Sequence, residues 1–213
     1  MSSVAVIDYG MGNLHSIGKA LQHADPQTQV QISADAQVIQ RADRVVFPGV
    51  GAMRDCMQAL HDLELVELIR QVAQDKPFLG ICLGMQALLT DSEENGGVNC
   101  LNLFPGHVRR FAEQLCDAQG QPLKIPHMGW NRVKQKPHPL WHNIAEDSRF
   151  YFVHSYFACP DNEQDSIAAT DYPQPFTCAL ARNNVFAVQF HPEKSQSVGL
   201  RLLQNFLRWD GAV

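Results

Sequence analysis

Gly80-Ile81-Cys82-Leu83-Gly84 stands between an apolar run at 78–81 and a helical pattern at 85–89. Flanking glycines permit a tight strand-to-helix turn that projects the central side chain, here a thiol, into solvent. The helix N-terminus behind it and the backbone N–H of Leu83 can stabilise a thiolate or an oxyanion. A buried cysteine in a glycine-rich turn accounts for the same five residues, and the local sequence leaves both readings open. A thiol nucleophile needs a base. His191 ends the apolar run 187–190 and is followed by Pro192-Glu193. Strand C-termini gather on one edge of a parallel sheet. There His191 can take the Cys82 proton while Glu193 holds the ring's tautomer and orientation. The alternative is that His-Pro-Glu merely ends the strand, with Pro192 setting the bend and Glu193 in water.

Phe47-Pro48-Gly49-Val50-Gly51 closes another strand. Glycines on both sides of Val50 leave its amide open to a substrate, which makes it a candidate second oxyanion donor, although a plain strand-to-helix turn fits equally. Tyr9-Gly10-Met11-Gly12-Asn13-Leu14-His15 begins like a dinucleotide loop, but His15 stands where the third glycine is required, and no P-loop pattern occurs. Nucleotide binding is therefore rejected, and Asn13 reads as a helix cap. His107, His127 and His154 lack the paired spacing of a zinc helix, so neither a metal nor a cofactor is expected.

The elements that must position these residues alternate in the first half. Apolar runs at 4–7, 29–32, 45–47 and 78–81 read as strands. Helical patterns fill 13–24, 35–40 and 53–73 between them. Continuous apolar strands with helical crossovers imply a parallel sheet covered on both faces. Further strands are expected at 108–111, 122–125, 130–134, 150–157, 166–170, 178–181 and 185–190, extending the sheet partly antiparallel. A last helix should start near Ser197 as its N-cap and pack back onto the sheet.

With 213 residues, 45% of them hydrophobic, and no charged or Pro/Ser-rich linker, the chain reads as one α/β domain over 1–213. Its 17 basic and 22 acidic side chains give a net charge of −5, which supplies no basic face for nucleic acid. No apolar run approaches the roughly 18 residues of a membrane span, and no basic segment precedes the first apolar run, so a cytoplasmic protein is expected. Six cysteines without a C-x-x-C pair fit neither a disulfide framework nor a zinc ribbon, and most should be buried free thiols.

The elbow Gly80-Ile81-Cys82-Leu83-Gly84-Met85-Gln86 together with Phe190-His191-Pro192-Glu193 resembles the class I (triad) glutamine amidotransferases along essentially the whole chain. Further matching blocks are 8–13, 48–52, 126–131, 151–156 and 191–195. They point to the branch whose glutaminase subunits serve histidine biosynthesis. The resemblance implies a three-layer flavodoxin-like fold with a mixed, mostly parallel sheet flanked by helices. It further implies that Cys82 attacks the side-chain amide of L-glutamine, with His191 relaying protons and Glu193 orienting it. Leu83, Val50 and Gly51 would form the oxyanion hole, with a peptide rearrangement at Val50 before turnover, so the free subunit should be nearly inactive. Gly49, Gln86, Glu94, Ser155 and Tyr156 match the glutamine pocket, Glu94 facing the substrate ammonium. Asn13, Trp130, Asn131, Tyr151 and Lys194 match the docking face for a (β/α)8-barrel cyclase subunit, with which the chain would form a heterodimer. Met53 stands where the branch usually has Phe, and 113–120 looks like a variable hairpin tip. The rival readings are a triad amidotransferase serving another pathway, such as anthranilate or pyridoxal phosphate synthesis, and a cysteine hydrolase on a related fold. His191-Pro192-Glu193 counts against the hydrolase.

Overall fold

The structure, a computed structural model, describes residues 2–117 and 119–212, so Ala118 within the expected hairpin tip lies outside the described residues. The first half follows the βα rhythm. It runs β1 (Ser3–Ile7), α1 (Leu14–Ala24), β2 (Gln29–Ser33), α2 (Ala36–Arg41), β3 (Arg44–Gly49), α3 (Met53–Asp62), α4 (Leu65–Asp75), β4 (Phe78–Cys82) and the one-turn α5 (Leu83–Gln86). The remainder is mostly strand: β5 (Asp91–Ser92), β6 (Val98–Asn99), β7 (Gly106–Arg110), β8 (His127–Arg132), β9 (Lys134–Gln135), β10 (Arg149–His154), β11 (Tyr156–Pro160), β12 (Ser166–Asp171), β13 (Pro175–Arg182) and β14 (Val185–Val188). Helix α6 (Gln196–Arg208) closes the chain.

The main sheet has the order β2-β1-β3-β4-β14-β13-β11-β7-β5-β6, with β12 and β9 attached beside β13. Strands β2, β1, β3, β4 and β14 are mutually parallel. Antiparallel pairing begins at β13. Side chains alternate across β1, so Ala5 and Ile7 face one core and Val4 and Val6 the other. The first core is roofed by α3 and α4 through Met53, Cys56, Leu60, Leu65 and Ile69. The second is roofed by α1 and α6 through Ile17, Leu21, Leu202, Leu203 and Phe206. This is the expected three-layer arrangement. Leu202, Leu203 and Phe206 are wholly buried, and each such burial contributes about 1.5–3 kcal/mol.

Several boundaries differ from the sequence expectation. The helical stretch 53–73 is two helices, because Glu64 takes a left-handed conformation at φ 54° and turns the chain. The helix expected at 85–89 is only Leu83–Gln86. Instead of a strand at 122–125, Pro122 makes a single bridge to Cys116. The 130–134 run is split between β8 and β9, and 150–157 is broken at Ser155 into β10 and β11. Those halves enter different sheets: β10 pairs with β8 in a separate two-stranded ribbon, while β11 joins the main sheet. The N-cap of α6 is Ser195 rather than Ser197, and Asn13 caps α1 without a side-chain bond. Cys56, Cys82, Cys100 and Cys178 are buried free thiols, Cys159 is half-buried and Cys116 is exposed. Among the described residues no helix is long and apolar enough to cross a membrane.

Burial holds three histidines neutral: His127 and His138 are each lowered to about 4, and His154 to about 3. Unfolding returns them to about 6.5, so between those values the unfolded chain binds more protons. Stability from this source is intact above about pH 6.5 and falls as the pH drops towards 4, by at most about 1.4 kcal/mol per pH unit for each ring. The urea midpoint should therefore be clearly lower at pH 5 than at pH 7. Equal midpoints would show that the rings are not buried neutral.

Candidate active site

Strand register brings the site together. Gly49 at the end of β3 pairs with Cys82 at the end of β4, and Val188 of β14 pairs with Ile81. The chain then enters α5 through Cys82, which holds φ 55° and ψ −110°. A non-glycine residue in such a conformation costs on the order of 1–3 kcal/mol, and the surrounding packing must hold it there. Glycines allow that packing. A Cβ on Gly84 would lie 2.0 Å from the Phe47 carbonyl oxygen, and one on Gly49 would lie 2.9 Å from Leu83 Cβ. The Tyr9 hydroxyl donates to the Pro48 carbonyl at 2.9 Å and braces the β3 end of this contact. Backbone cannot yield as a flexible side chain can. Gly84→Ala should accordingly destabilise the fold by about 3 kcal/mol or more, read from urea unfolding; a midpoint equal to wild type would mean the elbow is not packed this tightly.

His191 is 2% exposed, and its Nδ1 lies 2.8 Å from Glu193 Oε1. The Glu193 side chain is 1% exposed, so it is buried against the ring and does not stand in water. The turn is pinned from three sides. The His191 N–H donates to the Tyr151 carbonyl, the Ser195 hydroxyl donates to the His191 carbonyl at 2.6 Å, and the Tyr151 N–H donates to Ser195 Oγ. A carboxylate at Nδ1 assigns the proton of the neutral ring to that nitrogen and leaves the Nε2 lone pair free. Nε2 is buried and has no hydrogen-bond partner among the described residues. Burial is the largest single influence on this ring and lowers its proton affinity, but Cys82 and Glu193 together outweigh it, so the pKa of His191 is raised. A thiol, an imidazole and a carboxylate in this order can pass a proton from sulfur to ring and hold the resulting cation.

A cavity of about 290 Å³ opens above the sulfur. It is lined by Val50, Gly51, Cys82, Leu83, Gln86, Glu94, Ser155, Tyr156 and His191, all anticipated, together with Pro126, Val153 and His154. Gly49 lies beneath, packed on Leu83 and Gly84. Glu94 Oε2 accepts from the Met53 N–H at 2.8 Å, which ties its carboxylate to the N-terminus of α3. Gln86 donates through Nε2 to the Tyr156 carbonyl at 2.8 Å and to Gln189 Oε1 at 2.9 Å. Cys82 Sγ lies 3.7 Å from Gln189 Nε2 and 3.9 Å from the Val153 carbonyl oxygen. Among the described residues no cluster of His, Cys, Asp and Glu is placed to hold a metal ion.

Residues 5–209 match the family model for glutamine amidotransferase class-I. The chain belongs to the class I glutamine amidotransferases. Within them it is 65% identical to the imidazole glycerol phosphate synthase subunit HisH of Methylococcus capsulatus, over 99% of this chain and 98% of that protein. It is 58% identical to imidazole glycerol phosphate synthase subunit HisH 1 of Pseudomonas aeruginosa, over 99% of each. The solved structure of PurLQS from Thermotoga maritima superposes with a TM-score of 0.70 at 15% identity, covering 97% of this chain and 98% of that one, a likeness of fold.

In this class I amidotransferase the β8/β10 ribbon lies beside the cavity. Tyr151 pairs with Trp130, and Val153 with Met128, so these four share its outer face. Met128 is 61% and Trp130 44% exposed. The Trp130 and Tyr151 rings meet edge-on at 6.0 Å, and Lys194 Nζ sits 5.9 Å from the Tyr151 ring centroid. Asn13 is exposed at the start of α1. Asn131 departs from this group. It falls on the opposite face, where its Nδ2 donates to the Asp171 carbonyl at 2.9 Å and reaches His127 Nε2 at 3.3 Å.

Four participants are not apparent from the sequence. Gln189 looks like a polar interruption of an apolar strand, and Ser195 is only the last residue of the matching block 191–195. Val153 contributes a backbone carbonyl, which residue type does not announce. His154 reads only as a histidine without a metal pattern, yet it lines the cavity, with Nε2 3.0 Å from His127 Nδ1 and Nδ1 2.7 Å from the Tyr156 carbonyl. The block 151–156 around it carried the only signal.

Proposed function

We propose that this chain is the glutaminase subunit of an imidazole glycerol phosphate synthase, a single cytoplasmic domain docked as a heterodimer on a (β/α)8-barrel cyclase. The observation that carries the reading is end-to-end identity with subunits of that name, up to 65% among those compared. In the mechanism, His191 Nε2 takes the Cys82 proton and the thiolate attacks the side-chain amide carbon of glutamine. The oxyanion is met by the amides of Leu83 and of Val50 or Gly51. The imidazolium returns its proton to the leaving nitrogen, and ammonia departs from a γ-glutamyl thioester. Water, deprotonated by His191, then cleaves the thioester to give glutamate and restore the thiol. Glu193 holds Nδ1–H throughout. The balance consumes glutamine and one water, so no cofactor is required.

Gln86, Ser155 and Tyr156 bound the amino-acid end of the cavity, and the free oxygen of Glu94 faces the substrate ammonium. The cyclase would consume the ammonia with a phosphoribulosyl-formimino carboxamide nucleotide, releasing imidazole glycerol phosphate and an aminoimidazole carboxamide ribonucleotide. Met128, Trp130, Tyr151 and Lys194 form an apolar patch with a cation at its edge, the composition of an interface centre. Buried tryptophans dominate such centres. Trp130→Ala should weaken cyclase binding by about tenfold or more, or about 1.4 kcal/mol, measured by titrating the two purified subunits. An unchanged Kd would remove the docking face from this surface.

A further inference from the structure

Gln189 is wholly buried, yet it lies directly after β14 and carries an amide beside the nucleophile. Its orientation is settled by its neighbours. Gln86 Nε2 donates to the Tyr156 carbonyl and also to Gln189 Oε1 at 2.9 Å. Turning the Gln189 amide over would set its NH2 group against that of Gln86, two donors without an acceptor. Its Nε2 therefore faces Cys82 Sγ, at 3.7 Å. Backbone fixes the stem as well, since the Gln189 N–H donates to the Cys178 carbonyl at 2.9 Å.

We propose that Gln189 is a catalytic residue, the fixed hydrogen-bond donor to the Cys82 thiolate. The proposal rests on Cys82 being the nucleophile. A neutral thiol is a weak acceptor and a thiolate a strong one, so an immobile N–H aimed at sulfur favours the charged form. Its strength grows in a site that excludes water. The same bond fixes the direction from which sulfur meets the amide carbon. His191 receives the proton, while Gln189 stays with the charge that the proton leaves behind. When the thioester forms, the sulfur loses that charge and the bond weakens. Gln189 thus acts on the free thiolate and again when thioester cleavage regenerates it.

A bridging role for Gln189 that serves only packing makes a different prediction, and an isosteric substitution separates the two. Q189E keeps the shape of the side chain and still accepts from Gln86, but it turns an acceptor towards sulfur. Q189M keeps most of the volume and offers no donor. The measurement is the rate of iodoacetamide alkylation against pH for the full chain, quantified on the Cys82-containing peptide by mass spectrometry so that the exposed Cys116 does not interfere. The midpoint should rise by about one pH unit in Q189M, a tenfold loss of thiolate at a given pH, and further in Q189E. Midpoints equal to wild type in the folded variants would overturn the proposal, and if Q189M does not fold, Q189E alone decides. A wild-type Cys82 that titrates as an ordinary free thiol would instead overturn its assignment as the nucleophile.

Discussion

Cys82→Ala is expected to cut glutamine-dependent product formation by about 10⁴-fold or more, while synthesis from added ammonium by the assembled complex continues at nearly the wild-type rate. The sulfur forms the only covalent bond to substrate in the mechanism, and alanine supplies no replacement. Ammonium bypasses the whole glutaminase half-reaction, so it reports whether the docked partner still works. The substitution is structurally mild. Cys82 is 7% exposed and touches few polar groups, so removing its thiol leaves the elbow glycines and the β3–β4 pairing in place. Loss of both activities would show that Cys82 supports docking or folding instead of chemistry.

His191→Ala and Glu193→Gln should both be severe but unequal. Removing the imidazole removes the base for thiol and water and the acid for the leaving nitrogen, with an expected loss on the order of 10⁶ in kcat. The amide that E193Q introduces can still accept the Nδ1–H bond through its oxygen, so ring orientation is partly kept while the charge that stabilises the imidazolium is lost. The loss should then be about 10²-fold smaller than for His191→Ala, as in triads whose members act as a unit. The Glu193 side chain is 1% exposed, so water cannot stand in for its carboxylate. Equal losses would contradict an orienting role for the carboxylate.

The candidate site was legible because its motifs are local. Two glycines around a cysteine and a glutamate two residues beyond a histidine are patterns along the chain, and continuous apolar strands announce a buried parallel sheet. Register then brings distant motifs together, since parallel strands end on one edge. What the sequence concealed depends on partners that residue order does not name. The run 150–157 is rich in aromatic residues as one strand would be, and nothing in it marks Ser155 as the point where the chain leaves one sheet for another. The apolar period through 53–73 passes over Glu64, whose left-handed turn depends on how α3 and α4 pack. Asn131 follows Trp130 directly, and for that reason it lies on the other face of β8. Gln189 acquires its meaning only from Gln86 on one side and Cys82 on the other.

Glutamate release from glutamine, measured first with the isolated chain and then with the cyclase barrel and its nucleotide ligand added, decides whether this chain is a coupled glutaminase. Weak turnover alone and strong stimulation in the ligand-bound complex are expected. Full activity of the isolated chain, or none even with the barrel, would show that the coupling assigned to it is wrong.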